Sequence, residues 1–148
     1  MDARHKAPAQ VAQMASVKMT EPAANIVEPI MPDGIHIVVV VYGKAYAKLL
    51  ADITLPNLAA MVREIPDSLR AKSLLRILTT ADDIPVIEAS AAMPAIRGAV
   101  RVEILDTLKM AGFERHGGYG PMVVTQREAV YDAARADAAI FFVGADPI

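Results

Sequence analysis

The sequence contains no cysteine and no tryptophan, and only 5% of its 148 residues are aromatic. Without cysteine there can be no disulfide bond and no thiolate metal site. There is also no lysine- or arginine-rich run, and the formal net charge is −2, so we expect no nucleic-acid-binding surface. The core must be built from alanine, valine, isoleucine, leucine and methionine, in a chain long enough for one domain.

Long hydrophobic segments are missing as well. Apolar runs such as Ile37–Tyr42 are far too short to span a bilayer, and the first residues have no apolar core of signal-peptide length. We therefore expect no membrane span and a cytoplasmic protein. Residues 1–32 contain four prolines and no sustained periodicity, which predicts a flexible leader, followed by an α/β domain over residues 33–148.

The most informative segment that is present is Ile35–Gly43, a β-branched run that stops at a glycine. Its length and composition are typical of a strand buried on both faces, as in parallel sheets. A helix-like segment begins near Lys44. Because ligands of open α/β folds bind beyond the carboxyl ends of the strands, Tyr42 and Gly43 are candidate ligand-binding residues.

Three further strands are predicted, at Ser73–Thr80, Val100–Leu105 and Ala138–Val143. Strands and helical segments alternate, so the pattern predicts an open, mainly parallel, Rossmann-like sheet of about four strands with flanking helices. In Val100–Leu105 apolar and charged residues alternate, which favours a position near an edge of the sheet. His36, at the start of the first strand, is interpreted as a structural histidine.

The helices between the strands are expected to be interrupted by proline. The first helical segment should break at Thr54–Asn57, since proline disfavours helix at the preceding residue. A second helical piece, Leu58–Arg63, should begin there with Pro56 near its first turn. Thr80 should cap the next helix, which would run to about Ala92 and end at Met93-Pro94. A last long helix is predicted from Pro121 to about Ala136.

Three aspartates follow predicted strands. Asp82 and Asp83 come after the second strand, where they either approach a ligand or complement a helix N-terminus. Asp146 comes after the fourth strand, where it either holds a divalent cation bridging two phosphates or is an ordinary turn aspartate before Pro147. The residues alone leave both alternatives open.

Several short features occur in a characteristic order along the chain. They are Ile37–Tyr42 with Gly43, Tyr46, Leu49-Leu50, Thr54–Leu58, Thr79-Thr80 before acidic residues, Tyr119, Met122, Ala129, Ala133, Ala138–Val143 and Ala145-Asp146. Together they resemble bacterial nucleotide-diphospho-sugar transferases of the GT-A glycosyltransferase type. The resemblance covers roughly Ile35–Ile148, and Thr54–Leu58 and Ala145-Asp146 are its most specific parts.

The resemblance implies a nucleotide-sugar-binding unit, the N-terminal half of a GT-A-like domain, incomplete for catalysis. Tyr42 and Gly43 would line the base or ribose, Asp82 or Asp83 would approach the nucleoside, and Asp146 would face the diphosphate with Mg²⁺ or Mn²⁺. Gly144 stands where the family has the first aspartate of its acidic turn.

The alternative is a non-catalytic α/β interaction module that pairs with a partner chain. Ala138–Val143 is apolar throughout and lies near the end of the sequence. We therefore expect self-association, most simply as a two-fold dimer, or association with a missing partner half.

Overall fold

The computed structural model describes residues 30–109 and 120–144. Four strands and six α-helices alternate along the described chain. In chain order they are β1 Gly34–Val40, α1 Lys44–Leu49, α2 Leu55–Arg63, α3 Asp67–Arg70, β2 Leu74–Thr79, α4 Ile84–Glu88, α5 Met93–Ala99, β3 Arg101–Asp106, α6 Gly120–Arg135 and β4 Ala138–Gly144. Residues 1–29, which include most of the predicted leader, lie outside the described part.

All four strands are parallel and form one open sheet in the order β3-β2-β1-β4. The predicted α/β, Rossmann-like fold is therefore confirmed. The chain moves outward from β1 through β2 to β3 and then returns to the other side of β1, where β4 pairs with it. The predicted edge position of β3 is also confirmed.

The two faces of the sheet are covered by different helices. Ile37 and Val39 of β1 and Ile77 of β2 pack into a large apolar cluster with α1, α2 and α5, and we call this side the α2 face. Val38 and Leu78 lie on the opposite side, against Ala129 of α6, and we call this side the α6 face. β1 is buried on both faces, as its composition predicted.

The predicted break at Thr54–Asn57 is wrong. α1 and α2 are joined by a π-helical segment, Leu50–Thr54, so that helical backbone continues from residue 44 to residue 63. Pro56 stands in the first turn of α2, and the wider π-helical turn before it accommodates a residue that has no N–H to donate. The hydroxyl of Ser90 donates a 2.7 Å hydrogen bond to the carbonyl of Ala51 in this segment.

The segment after β2 also differs from expectation. Thr80 does not cap a helix, because α4 begins only at Ile84. Met93-Pro94 does not end a helix either: it opens α5, with Pro94 in the first turn, where proline is favoured since the first N–H groups have no helical partner. Two short helices therefore replace the single predicted one.

Candidate functional site at the carboxyl end of the sheet

The order of the strands reverses beside β1, because β2 and β4 pair with its two sides. Tyr42 and Gly43 follow β1 directly, so the fold places them at this reversal. In open α/β sheets the crevice at such a point is the usual ligand-binding position, since the connections leave in opposite directions. The sequence predicted these two residues as candidates, but it did not predict which strand would lie on the other side of β1.

Gly43 forms the turn that leads from β1 into α1. Its φ of +91° is one that residues with a side chain rarely adopt. A Cβ added there would meet no atom of the described residues within 4 Å, so these residues leave the space beside Gly43 open. The carbonyl of Gly43 accepts a 2.9 Å hydrogen bond from the N–H of Ala47, which fixes the first turn of α1.

Asp83, which lies in the connection between β2 and α4, forms a hydrogen bond to this turn. The N–H of Gly43 donates to its Oδ2 at 2.8 Å, and the hydroxyl of Thr80 donates to the same oxygen at 3.0 Å. Asp83 is only 3% exposed, so its carboxylate joins the β1 and β2 connections. Asp82, in contrast, is exposed. The two adjacent aspartates could not be distinguished from the sequence, but in the structure one is buried and the other exposed.

Two buried hydroxyl oxygens near this end of the sheet have no hydrogen-bond partner among the described residues, Tyr42 Oη and Thr79 Oγ1. Thr79 is the last residue of β2 and is fully buried. Its carbonyl accepts a 2.9 Å hydrogen bond from the hydroxyl of Thr107, so only its hydroxyl is left over. Buried polar atoms are normally satisfied by protein, water or ligand, and these two are therefore candidates for solvent or ligand contacts.

Asp146, the predicted metal ligand, lies outside the described residues. Within residues 30–109 and 120–144, no group of three or more histidine, aspartate or glutamate side chains is placed to hold a metal ion. Asp83 already accepts two hydrogen bonds, which makes it a poor additional ligand.

Sequence reasoning missed a second polar cluster, on the α6 face. Arg76 of β2 is 11% exposed and pairs with Glu103 of β3 at 2.9 Å and with Asp132 of α6 at 2.6 Å. Burial opposes its charge, but the hydrogen bonds to both carboxylates raise the pKa of Arg76. The partners lie 27 and 56 residues away in sequence, so no local pattern could have indicated them.

His36 is 5% exposed and lies on the same face. Burial, together with the positive charges of Arg76 and Arg101, lowers its pKa, although Asp132 and Glu103 act in the opposite direction. The imidazole is therefore neutral near pH 7. Since each cation of the cluster stands beside a carboxylate, the arrangement is typical of a structural network.

No protein-family model matches the sequence, and comparison with curated proteins gives no significant match. The resemblance to GT-A glycosyltransferases consequently stays a prediction. Over the ranges that the structure describes, no helix is both long enough and apolar enough to cross a membrane.

Proposed function

We propose that this chain is a cytoplasmic α/β unit that binds a nucleotide-sugar, similar to the donor-binding half of a GT-A glycosyltransferase. The observation that carries the proposal is the reversal of strand order beside β1; Tyr42 and Gly43 follow β1 directly, at the edge of the sheet where such folds usually bind ligands. The space that the described residues leave beside Gly43 supports a ligand that approaches the backbone at this position.

The geometry supports different roles for the candidate residues. Gly43 lets the ligand approach the backbone, and Tyr42 lines the base or ribose. Asp82 is free to approach the nucleoside because it is exposed. Asp83 acts as a positioning residue, since its carboxylate is occupied by Gly43 and Thr80. Asp146 is assigned to the diphosphate side, with Mg²⁺ or Mn²⁺ as the bridging ion when bound. No catalytic residue is assigned.

A second function is favoured by one specific observation, the exposed apolar edge of β4. Phe141 and Phe142 are 55% and 47% exposed, and within the described residues β4 pairs only with β1. An α/β interaction module would use this edge to bind a protein partner. Such a module would respond to that partner and not to nucleotide-sugars.

The primary experiment measures binding of uridine, guanosine and cytidine nucleotide-sugars by calorimetry and thermal unfolding, with and without Mn²⁺. A true donor at about 100 times its Kd should stabilise the protein by roughly 2.7 kcal/mol. No stabilisation by any of the three classes would reject the nucleotide-sugar proposal and leave the interaction module.

The variant Asp146→Ala tests the assigned phosphate contact. We expect affinity for the donor in Mn²⁺ to fall at least about tenfold, or about 1.4 kcal/mol. The matched control is Asp67→Ala, which removes the same charge from the start of α3, an exposed position before β2. Asp67→Ala should bind normally. Equal affinity in the two variants would remove Asp146 from the site without affecting the roles of Tyr42 and Gly43.

A further inference from the structure

Large exposed apolar side chains lie at the edge of β4 that pairs with no other described strand. Two belong to the strand itself, Phe141 and Phe142. Next to Phe141, on the α2 face, lies a groove of about 380 Å³ formed largely by apolar residues, including Ile35, Ile65 and the exposed Met61. The apolar surface thus continues from the strand onto the neighbouring helix layer.

The α6 helix also carries exposed apolar side chains. Asp132 of α6 points toward β2, since it pairs with Arg76. With about 100° per residue, Val123 and Val130 lie about 180° and 160° around the helix from Asp132, and therefore on the side of α6 away from β2. Both are exposed. We call Met61, Phe141 and Phe142 the β4-edge patch.

The composition of the two sheet edges indicates what covers this patch. β3, at the other edge, carries Arg101, Glu103 and Asp106, charges that discourage strand pairing. β4 has the sequence AAIFFVG, with no charge and no proline over seven residues. A second copy of β4 could therefore pair with it without repulsion between like charges. Every residue of both strands has a backbone N–H to donate, and both strands carry apolar side chains on both faces.

Side-chain alternation restricts the register of such a pair. In β4 the odd-numbered residues lie on the α2 face, as Val143 shows, and the even-numbered ones on the α6 face, as Ile140 shows. Residues directly opposite each other must share a face. A two-fold axis perpendicular to the sheet keeps the two faces distinct, so a residue of one strand and the residue opposite it must both be odd-numbered or both even-numbered. The two residue numbers therefore add up to an even number. Only a sum of 282 pairs all seven residues, with Phe141 opposite itself and Ile140 opposite Phe142.

From these observations we propose that β4 pairs antiparallel with β4 of a second copy of this chain, in the register centred on Phe141. The two sheets then form one continuous sheet of eight strands, and the two β4-edge patches cover each other. A seven-residue strand spans only about 20 Å, so the expected dimer is reversible, with a Kd in the micromolar range. The interface does not depend on the nucleotide-sugar proposal.

Cysteine crosslinking tests the register, because the natural chain has no cysteine. Opposed residues of antiparallel strands have Cα atoms about 4.5–5.5 Å apart, within the range of a disulfide. Phe141→Cys should therefore form a covalent dimer under mild oxidation. Ala139→Cys should not, since Ala139 lies opposite Val143 and its two copies are about 14 Å apart along the strand. The double variant Ala139→Cys with Val143→Cys should crosslink again.

Sedimentation tests the surface with a matched pair of substitutions. Phe142→Lys and Leu108→Lys each replace a half-exposed apolar residue, 47% and 54% exposed. Phe142 lies in β4, whereas Leu108 lies in a short 3-10 helix, Thr107–Lys109, that follows β3. Between about 1 µM and 200 µM, the unsubstituted protein and Leu108→Lys should pass from monomer to dimer, whereas Phe142→Lys should stay monomeric.

Three outcomes would overturn the proposal. The first is a monomer at all concentrations, as expected if another part of the chain covers β4. The second is equal crosslinking of Phe141→Cys and Ala139→Cys, which indicates random collision. The third is a dimer that persists in Phe142→Lys, which places the contact on another surface. If Phe142→Lys does not fold, the crosslinking result still decides, because it uses the smaller cysteine substitutions.

Discussion

The α2 face of the sheet is closed by a nearly continuous apolar layer, whereas the α6 face combines a small apolar cluster with a buried ionic network. On the α2 face, Leu50, Leu55 and Val62 are fully buried against the strands. On the α6 face, Val38 and Leu78 meet one helix, and Arg76 occupies the position where an aliphatic residue would be expected. The sheet is thus stabilised on the α2 face by buried apolar surface and on the α6 face partly by ion pairs between particular side chains.

The difference indicates a division of roles between the faces. Apolar burial is non-directional and stabilises many similar arrangements of helices and strands. The Arg76 network joins β2, β3 and α6 through fixed hydrogen bonds, which only one placement of α6 satisfies. We infer that the α2 face supplies most of the stability and that the α6 face fixes the position of α6 relative to the sheet.

The largest effect is expected from Leu55→Ala on the α2 face. Leu55 is completely buried at the start of α2, so its truncation leaves a cavity and should lower the free energy of unfolding by about 2–5 kcal/mol. The control is Ile53→Ala in the preceding π-helical segment, which is 53% exposed and should cost much less. Chemical denaturation measures both, and similar losses would contradict the assigned burial.

A smaller loss is expected from Arg76→Met on the α6 face. Glu103 and Asp132 would lose their shared partner, but each is about one third exposed and can be partly hydrated. We expect a loss of about 1–3 kcal/mol. Arg97→Met, which breaks an exposed pair with Glu88, should cost less than about 1 kcal/mol.

Partial rescue would separate charge pairing from packing at Arg76. In Arg76→Met, Glu103 and Asp132 keep one exposed partner each, Arg101 and Arg135, but lose their buried one. Adding Glu103→Gln and Asp132→Asn removes the two carboxylate charges that faced Arg76 and should recover part of the lost stability. If the triple variant is no more stable than Arg76→Met, the packing of the arginine side chain matters more than its charge.

The smallest effect concerns His36 and pH. Because its pKa is lowered in the folded state from the ordinary value of 6.5, the unfolded chain binds a proton more readily than the folded one. The contribution of neutral His36 is complete above about pH 6.5 and is lost as the pH falls toward the folded pKa. The free energy of unfolding of the natural chain should therefore fall more between pH 7 and pH 5 than that of His36→Gln. Parallel curves would show that His36 does not titrate in this range.

Much of the fold could be predicted because its strands carry strong local signals. The β-branched run of β1 and the alternation of charge in β3 reflect burial on two faces and an edge position, and both appear in the structure. The helix boundaries were harder to predict. Pro56 stands in a first turn as predicted, but the break before it is absent. Pro94 was predicted to follow a helix and instead stands in the first turn of α5, since proline is tolerated at the start of a helix as well as after its end.

The candidate site was predictable only in part. Tyr42 and Gly43 could be identified because a glycine after a buried strand is a local pattern. The role of Asp83 could not, because its partner Gly43 lies 40 residues earlier and the neighbouring Asp82 has the same chemistry. Arg76 looked like a charged residue in an apolar strand, with no sign of the carboxylates that satisfy it.

By itself, the sequence determined the composition of the core, the alternation of strands and helices, the parallel sheet and the residues at the end of β1. These properties follow from burial and backbone preference, which act over a few residues. Only the tertiary structure decided that β4 lies beside β1, that Asp83 holds Gly43, and that Arg76 joins β3 to α6. Each of these contacts connects residues far apart in the chain, and periodicity shows how deeply a residue is buried but not which residue it meets.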